Sequence, residues 1–379
     1  MSARAQIKGW CPSAYKPMMS GDGLIVRVRP RMGRFDRPQC LSLAELSENF
    51  GNGTLDLTSR ANLQIRGIDP DAHQALLECL LDAGLLDASS DLEARRAVLV
   101  SPDWQPGDLT ERLYGHIVSR LAELPELPDK MGLALDAGPK RLLVHASADF
   151  RFERGLSAPL ILRADGAATG LPVSEENAMD ALLELVRWFC STGGPQTGRM
   201  ARHLANVELP TAFQNEPPAP AATPWQPGPS PLGALYGAAF GCLTAEDLRQ
   251  VMAMPGTTGL RVTPWRMFLA EGARFAKTQR FVCDSEDPLL RVQACPGEPK
   301  CMQAQAATRS LARHLAPQLQ EDKTLHVSGC EKGCAAPGPS DVTVVANKGR
   351  FDLVMNGAAW DEPVARALSE TEIKKKVTG

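Results

Sequence analysis

Four of the ten cysteines in this 379-residue chain stand in two close pairs near the C-terminus. Cys295 and Cys301 are separated by five residues in ACPGEPKC, and Cys330 and Cys334 by three in SGCEKGC. Proline and glycine fill the gaps, and such residues let a chain bend around a compact centre. Four thiolates so arranged hold iron–sulfur clusters. A soft thiolate site also suits zinc, although structural zinc sites usually place about two to four residues between paired cysteines. The cluster is the favoured reading, with zinc and unliganded packing thiols as alternatives. Apolar spacing predicts a helix over 302–315 directly after Cys301, whose positive end would face an anionic centre. A strand over 324–328 leads into Cys330 and a turn with Gly329, Gly333 and Gly338, whose amides can donate to sulfur. Cys11, Cys40, Cys79, Cys190, Cys242 and Cys283 are scattered and read as small buried hydrophobes.

A second chemistry comes from arginine. Seven arginines and no lysine lie between Arg27 and Arg66. Alternation over 26–31 sets Val26 and Val28 on one face and Arg27, Arg29 and Arg31 on the other. Read as one strand, 57–66 puts Leu57, Ser59, Ala61, Leu63 and Ile65 opposite Thr58, Arg60, Asn62, Gln64 and Arg66. Guanidinium rows bind carboxylates bidentately, which lysine does less well. Residues 1–66 hold ten Lys/Arg against five Asp/Glu, within a chain of net charge −3. That basic start implies an anionic partner. No nucleic-acid motif accompanies it, so a small polyanion in a cleft is expected and nucleic acid is not. The six histidines form no paired metal motif, and Lys374, Lys375 and Lys376 read as a solvated tail.

The elements that must position these groups mix strand and helix. Helices are expected over 43–49, 70–83, 109–123, 178–190 and 302–315. Strands are expected over 24–31, 141–146, 160–163, 324–328, 341–346 and 350–356. This favours an α+β fold. Residues 217–231 carry seven prolines in fifteen and read as an extended connector between two halves. The halves are weakly alike: LDLTSRANLQIRG at 55–67 aligns without gaps to LRVTPWRMFLAEG at 260–272, and Ser42–Leu46 resembles Thr244–Leu248 as a helix start. No apolar stretch is long enough to span a bilayer, and no secretory signal is visible at the start. The cytoplasm, where clustered cysteines favour metal over disulfides, is the expected compartment.

Taken together, the two cysteine motifs and LDLTSRANLQIRG resemble the sulfite and nitrite reductase superfamily. The resemblance implies a duplicated architecture: two ferredoxin-like half-units and two cluster-type α/β units related by pseudo-twofold symmetry. Its expected division is a half-unit over 1–85, a cluster-free unit over 86–216, the linker 217–231, a half-unit over 232–285 and a [4Fe-4S] unit over 286–379. It implies that Cys295, Cys301, Cys330 and Cys334 hold the cluster beside sirohaem, and that Arg60 contacts the tetrapyrrole and its anionic ligand. Arg27, Arg29, Asn62, Arg66, Lys130 and Arg266 join Arg60 as expected tetrapyrrole-binding residues, by charge and motif position, with Arg60 and Lys130 as catalytic residues.

Within the superfamily, GWCPSAYKPMMSGDGLIVRVRP, LTSRANLQIRG and LRVTPWR are similar to the branch that acts on precorrin-3A in aerobic cobalamin synthesis. That branch implies O2-dependent hydroxylation at C20 with γ-lactone closure, and NADH as electron source. An additional non-haem iron or a retained sirohaem, and a separate electron-donor reductase, are compatible with it. The reductases carry two lysines that bind the oxyanion. Here the matching stretch reads Pro128-Asp129-Lys130-Met131-Gly132, so one ammonium is gone and a carboxylate has been added. This weakens stabilisation of sulfite or nitrite. A sirohaem-dependent reductase is the competing enzyme; a cluster carrier without substrate, or a nucleic-acid binder with a structural metal, are the other classes.

Overall fold

The computed structural model describes residues 12–336 and 338–378, so Cys11 lies outside the described residues. The first half-unit runs β1 (Met18–Ser20), β2 (Gly23–Val28), β3 (Arg34–Asp36), α1 (Arg37–Asn49), β4 (Thr54–Leu57), β5 (Leu63–Ile68) and α2 (His73–Asp82). The first cluster-type unit follows with α3 (Ser90–Arg95), β6 (Val98–Val100), α4 (Leu109–Ser119), β7 (Leu133–Asp136), β8 (Phe150–Glu153), β9 (Ile161–Ala164), β10 (Leu171–Pro172) and α5 (Ala178–Ser191), then the short α6 (Gly194–Thr197) and α7 (Met200–Leu204). The second half-unit holds β11 (Gly228–Ser230), β12 (Gly233–Gly237), β13 (Cys242–Thr244), α8 (Ala245–Ala253), β14 (Gly259–Val262) and β15 (Met267–Glu271). The last unit holds β16 (Val292–Ala294), α9 (Arg309–Leu315), β17 (Leu325–Ser328), β18 (Ser340–Asn347), β19 (Arg350–Gly357), β20 (Ala365–Leu368) and α10 (Glu370–Thr378).

Four five-stranded sheets result, and they come in two matched pairs. The half-unit sheets run β1-β2-β5-β4-β13 and β11-β12-β15-β14-β3. Each therefore ends on a strand lent by the other half: Leu243 pairs with Leu55, and Phe35 with Leu260. Side chains of both halves fill one shared core, from Val26 and Leu63 to Leu260 and Phe268. The other two sheets, β10-β9-β8-β7-β6 and β16-β17-β18-β19-β20, each have two parallel pairings followed by two antiparallel ones. Each packs its own helices over a separate apolar core.

The duplication is physical down to the backbone. Residues 55–67 and 260–272 form equivalent hairpins, and Gly67 and Gly272 close them at φ 76 and 77, where a side chain is disfavoured. Met32 and Phe240 both sit in the left-handed region, at φ 54 and 59, just before β3 and β13. Asp36 caps α1 through a capping box with Gln39, and Thr244 caps α8 through one with Asp247. This corrects the helix alignment read from sequence. Ser42 lies inside α1, and the residue equivalent to Thr244 is Asp36.

Other expectations shift for local reasons. The helix expected over 302–315 is only α9, because the Gln305 amide donates to the Gly329 carbonyl and Glu298 N donates to the Ala306 carbonyl, holding this chain to the cysteine loops. Residues 141–146 form no strand: Leu143 N donates to the Asp136 carboxylate at 2.7 Å, and Arg141 makes only an isolated bridge to Ala221. The proline-rich connector is extended as expected, and it supplies the edge strand β11, where Pro229 needs no amide donor. The 374–376 lysines belong to α10, which buries Ile373 and Val377 in the last core, so they are not a tail. No helix among the described residues is long and apolar enough to cross a membrane.

Because the two caps are equivalent, Asp36→Ala and Thr244→Ala are each expected to cost roughly 0.5–2 kcal/mol. A lower urea midpoint for both, with secondary structure retained by circular dichroism, checks this; a neutral result for either would break the equivalence.

Candidate functional site

The 58–62 segment is a turn between β4 and β5, not part of one long strand, which corrects the alternation read over 57–66. Thr58 builds it. Its amide donates to the Asn62 carbonyl at 2.9 Å, and its hydroxyl accepts from the amides of Arg60 and Asn62. Ala61 takes φ 49, and Arg60 is carried at the tip. The second hairpin repeats the design with Thr263, Trp265 and Arg266, the last at φ 58.

Arg27, Arg29, Arg60 and Asn62 line one pocket, together with Arg96, Asp129, Gly132 and Ser147. The Arg60 guanidinium donates to the Lys130 carbonyl at 2.5 Å, so Lys130 meets this site through its main chain; its ammonium is not among the lining groups. Arg29 pairs with Glu93 at 3.4 Å. Burial lowers the Arg29 pKa, Glu93 opposes this, and Arg96 and Arg60 add to the lowering. Crowded guanidinium groups of this kind are relieved by an entering anion. A cavity of about 490 Å³ shares the Arg29, Asp129 and Gly132 wall; its floor is apolar, with Leu121, Met131, Phe150 and Leu182. Arg96 was not among the sequence candidates. It is buried against Asp87 and Glu93, and no periodic signal marks it.

Two expected tetrapyrrole ligands lie elsewhere. Arg66 is 2% exposed and wholly engaged: Asp22 at 2.9 and 3.0 Å, Asp56 at 3.3 Å, Ser20 Oγ and the Lys300 carbonyl. It is an internal anchor, which corrects its assignment to a substrate-facing row. Arg266 donates to the Ala335 carbonyl at 2.6 Å, beside Cys334 rather than in the arginine pocket. Burial lowers the Arg266 pKa, with Arg309 adding to the effect and Asp56 opposing it.

The four cysteines converge from two loops. Cys295 follows β16, and Gly329 N donates to its Sγ at 3.1 Å. Cys301 N donates to the Gly297 carbonyl, and Cys330 follows β17. Cys330 is buried, Cys295 and Cys301 half-buried and Cys334 exposed. Cys334 reaches solvent on one side only: the protein packed around it pushes its thiol up to about 11, Lys332 opposes this, and the charges of Cys330, Cys295 and Cys301 add to the rise. The Cys330 thiol is raised by burial and by Cys301 and Cys295. Cys330 and Cys334 thus both lie within the fields of Cys295 and Cys301. Among the described residues no three His, Cys, Asp or Glu side chains approach closely enough to share a single metal ion. Two observations fit an anionic thiolate centre: the amide on the Cys295 sulfur, and Arg309, whose buried Nε lacks a hydrogen-bond partner and whose surroundings include the Cys295 charge.

The first α/β unit shows what stands in the equivalent place. Matching register sets Val100 against Leu135 and Ala294 against Val327. Ser101-Pro102 therefore occupies the position of Cys295-Pro296, and Gly138 that of Cys330. Ser101 Oγ donates to Asp103 at 2.8 Å. Burial pushes the neighbouring Asp136 carboxyl up to about 6, with Asp103 adding to the rise and the Leu143 and Leu142 amides and Ser101 opposing it.

Comparison with known proteins agrees with this architecture. Residues 16–83 match the nitrite/sulfite reductase ferredoxin-like half domain. The structure of the Mycobacterium tuberculosis NirA protein superposes with a TM-score of 0.67 at 18% identity, covering 94% of this chain and 79% of that one. A precorrin-3B synthase from Sinorhizobium sp is 30% identical over an alignment spanning 395 positions, covering 94% of this chain and 85% of the relative. The duplicated fold and the matched half domain define the nitrite and sulfite reductase class. Within that class, the chain belongs to the precorrin-3B synthase family.

The raised Asp136 carboxyl gives a test by pH. Between pH 3.8 and about 6 the unfolded chain loses this proton while the folded chain keeps it, so stability falls as pH rises through that window. Asp136→Asn is expected to remove that slope and to exceed the parent by about 2–3 kcal/mol at pH 7. Urea unfolding at several pH values measures the difference; parallel profiles would refute it.

Proposed function

We propose that this chain hydroxylates precorrin-3A at C20 with O2 and closes the γ-lactone, as a precorrin-3B synthase. The observation that carries this reading is the pocket joining Arg27, Arg29, Arg60, Asn62 and Arg96. Early precorrins are reduced tetrapyrroles fringed with carboxylates, and guanidinium groups bind carboxylates with directional, charge-assisted hydrogen bonds. One oxygen atom enters the macrocycle and the other leaves as water, with NADH supplying two electrons, directly or through a donor reductase.

Cys295, Cys301, Cys330 and Cys334 are the proposed ligands of a [4Fe-4S] cluster, which supplies one-electron transfer when bound. A further non-haem iron or a sirohaem is compatible with this role. Arg60, held by the Thr58 turn and the Lys130 carbonyl, orients the substrate edge, and Lys130 lies beside it. Orientation of this kind is the main service a protein gives to cofactor chemistry. The half-unit and cluster-unit boundaries expected from sequence go with this reading, as does a cytoplasmic location.

Incubation of the anaerobically purified protein with precorrin-3A, NADH and O2 tests it. The expected product gains one oxygen atom by mass spectrometry. Tightly bound sirohaem together with nitrite or sulfite reduction would favour the reductase reading instead. Arg60→Ala is expected to weaken precorrin-3A binding by roughly 1.5–3 kcal/mol, tenfold or more; parental binding and turnover would remove Arg60 from the site. Cys295→Ser is expected to lose iron and sulfide, and full retention of both would remove Cys295 from the ligand set.

A further inference from the structure

We infer that Arg66 is a positioning residue for the cluster-binding loop, acting from the opposite half of the molecule. The inference rests on the cluster reading of the four cysteines. The Lys300 carbonyl, one residue before Cys301, accepts three hydrogen bonds from the first half-unit. They come from Ser20 Oγ at 2.6 Å, Gly21 N at 3.1 Å and Arg66 Nη2 at 3.1 Å. Lys300 Nζ returns a hydrogen bond to Thr54 Oγ1 at 3.2 Å. The β1–β2 turn lies directly on this loop, since a Cβ at Gly21 would collide with the Pro299 carbonyl and crowd Cys301 N.

The other cysteine of the pair is reached through the same dyad. Asp56 accepts from Arg66 on one oxygen and from Arg309 Nη2 on the other, at 2.8 Å. Arg309 in turn lies within the field of Cys295. One buried pair, Asp56–Arg66, thus braces the loop before Cys301 through the Lys300 carbonyl and holds Arg309 in place through Asp56.

The pseudo-symmetric half offers an internal control. In the gapless alignment of 55–67 with 260–272, Asp56 corresponds to Arg261 and Arg66 to Glu271. The ion pair is kept with its charges exchanged: Arg261 meets Glu271 at 2.5 Å. Arg261 donates to the Pro102 and Trp104 carbonyls at 3.0 and 2.5 Å, in the loop that lacks cysteines. Each half-unit therefore anchors one loop, and only the Arg66 anchor holds a loop with thiols.

The experiment compares Arg66→Gln, Gly21→Ala and Arg261→Gln with the parent under anaerobic conditions. Iron and sulfide per folded chain, the rate of loss of visible absorption to a chelator, and the EPR spectrum of the dithionite-reduced protein are measured. Removing an outer partner of a metal site commonly costs roughly 10–100-fold in metal retention. Arg66→Gln and Gly21→Ala are expected to lose the cluster faster by that order and to alter the EPR signal. Arg261→Gln, equally buried, is expected to keep the parental loss rate and signal in the chains that remain folded. Parental cluster retention in both Arg66→Gln and Gly21→Ala overturns the inference. Equally fast loss in Arg261→Gln also overturns it, because general destabilisation then suffices. A parent that takes up no iron and sulfide on reconstitution overturns the cluster reading itself, a failure separate from that of the anchor.

Discussion

Everything in this molecule depends on two strands that pair away from home. β3 leaves the first half-unit to complete the sheet of the second, and β13 makes the reciprocal move. The exchange closes both sheet edges with backbone hydrogen bonds and turns two small layers into one core. It places α1 against α8, and it fixes both hairpin turns relative to each other. Thr58 and Thr263 build equivalent turns, but their arginines stand at different positions: Arg60, the counterpart of Trp265, meets the Lys130 carbonyl, and Arg266, the counterpart of Ala61, meets the Ala335 carbonyl.

Charge is used inside this frame in two distinct ways. Arg66, Arg261 and Arg96 are buried and paired with carboxylates, where removing one partner would strand the other in a medium that penalises it. Arg27, Arg29 and Arg60 line a pocket, which Arg96 also borders, and under the proposed function the same residue type there meets the carboxylates of the substrate. Composition alone cannot separate these roles, because Arg66 counts toward the basic 1–66 segment just as Arg27, Arg29 and Arg60 do.

The sequence was informative wherever a local rule governs conformation. The Cys-Pro-Gly and Gly-Cys turns, the proline-rich connector, the amphipathic α5 and the parallel between 55–67 and 260–272 all follow from residue type and spacing. The errors arose where a hydrogen bond, local or tertiary, overrides the pattern. Alternation through Thr58–Asn62 looks like a strand, but the Thr58 hydroxyl bends it into a turn. Residues 302–308 have helical spacing, yet the Gln305 amide and the Ala306 carbonyl are claimed by neighbouring loops. Arg66 carries the right charge for a ligand, and only the fold shows that Asp22 and Asp56 have already engaged it. The equivalence of Ser101 with Cys295 was invisible because it depends on strand register.

The strand exchange also bears on how the chain is made. A ribosome releases the protein from the N-terminus, so β4 emerges with one edge unsatisfied. Its partner, β13, is encoded nearly 190 residues later. Until then the first half-unit presents an open row of amides and carbonyls, the kind of edge that recruits foreign strands. The first cluster-type unit, with its own core and its own sheet, can meanwhile mature. Nascent chains of this design therefore carry a sticky, incomplete first layer through about half of their synthesis, and protection of that edge becomes part of making the protein at all.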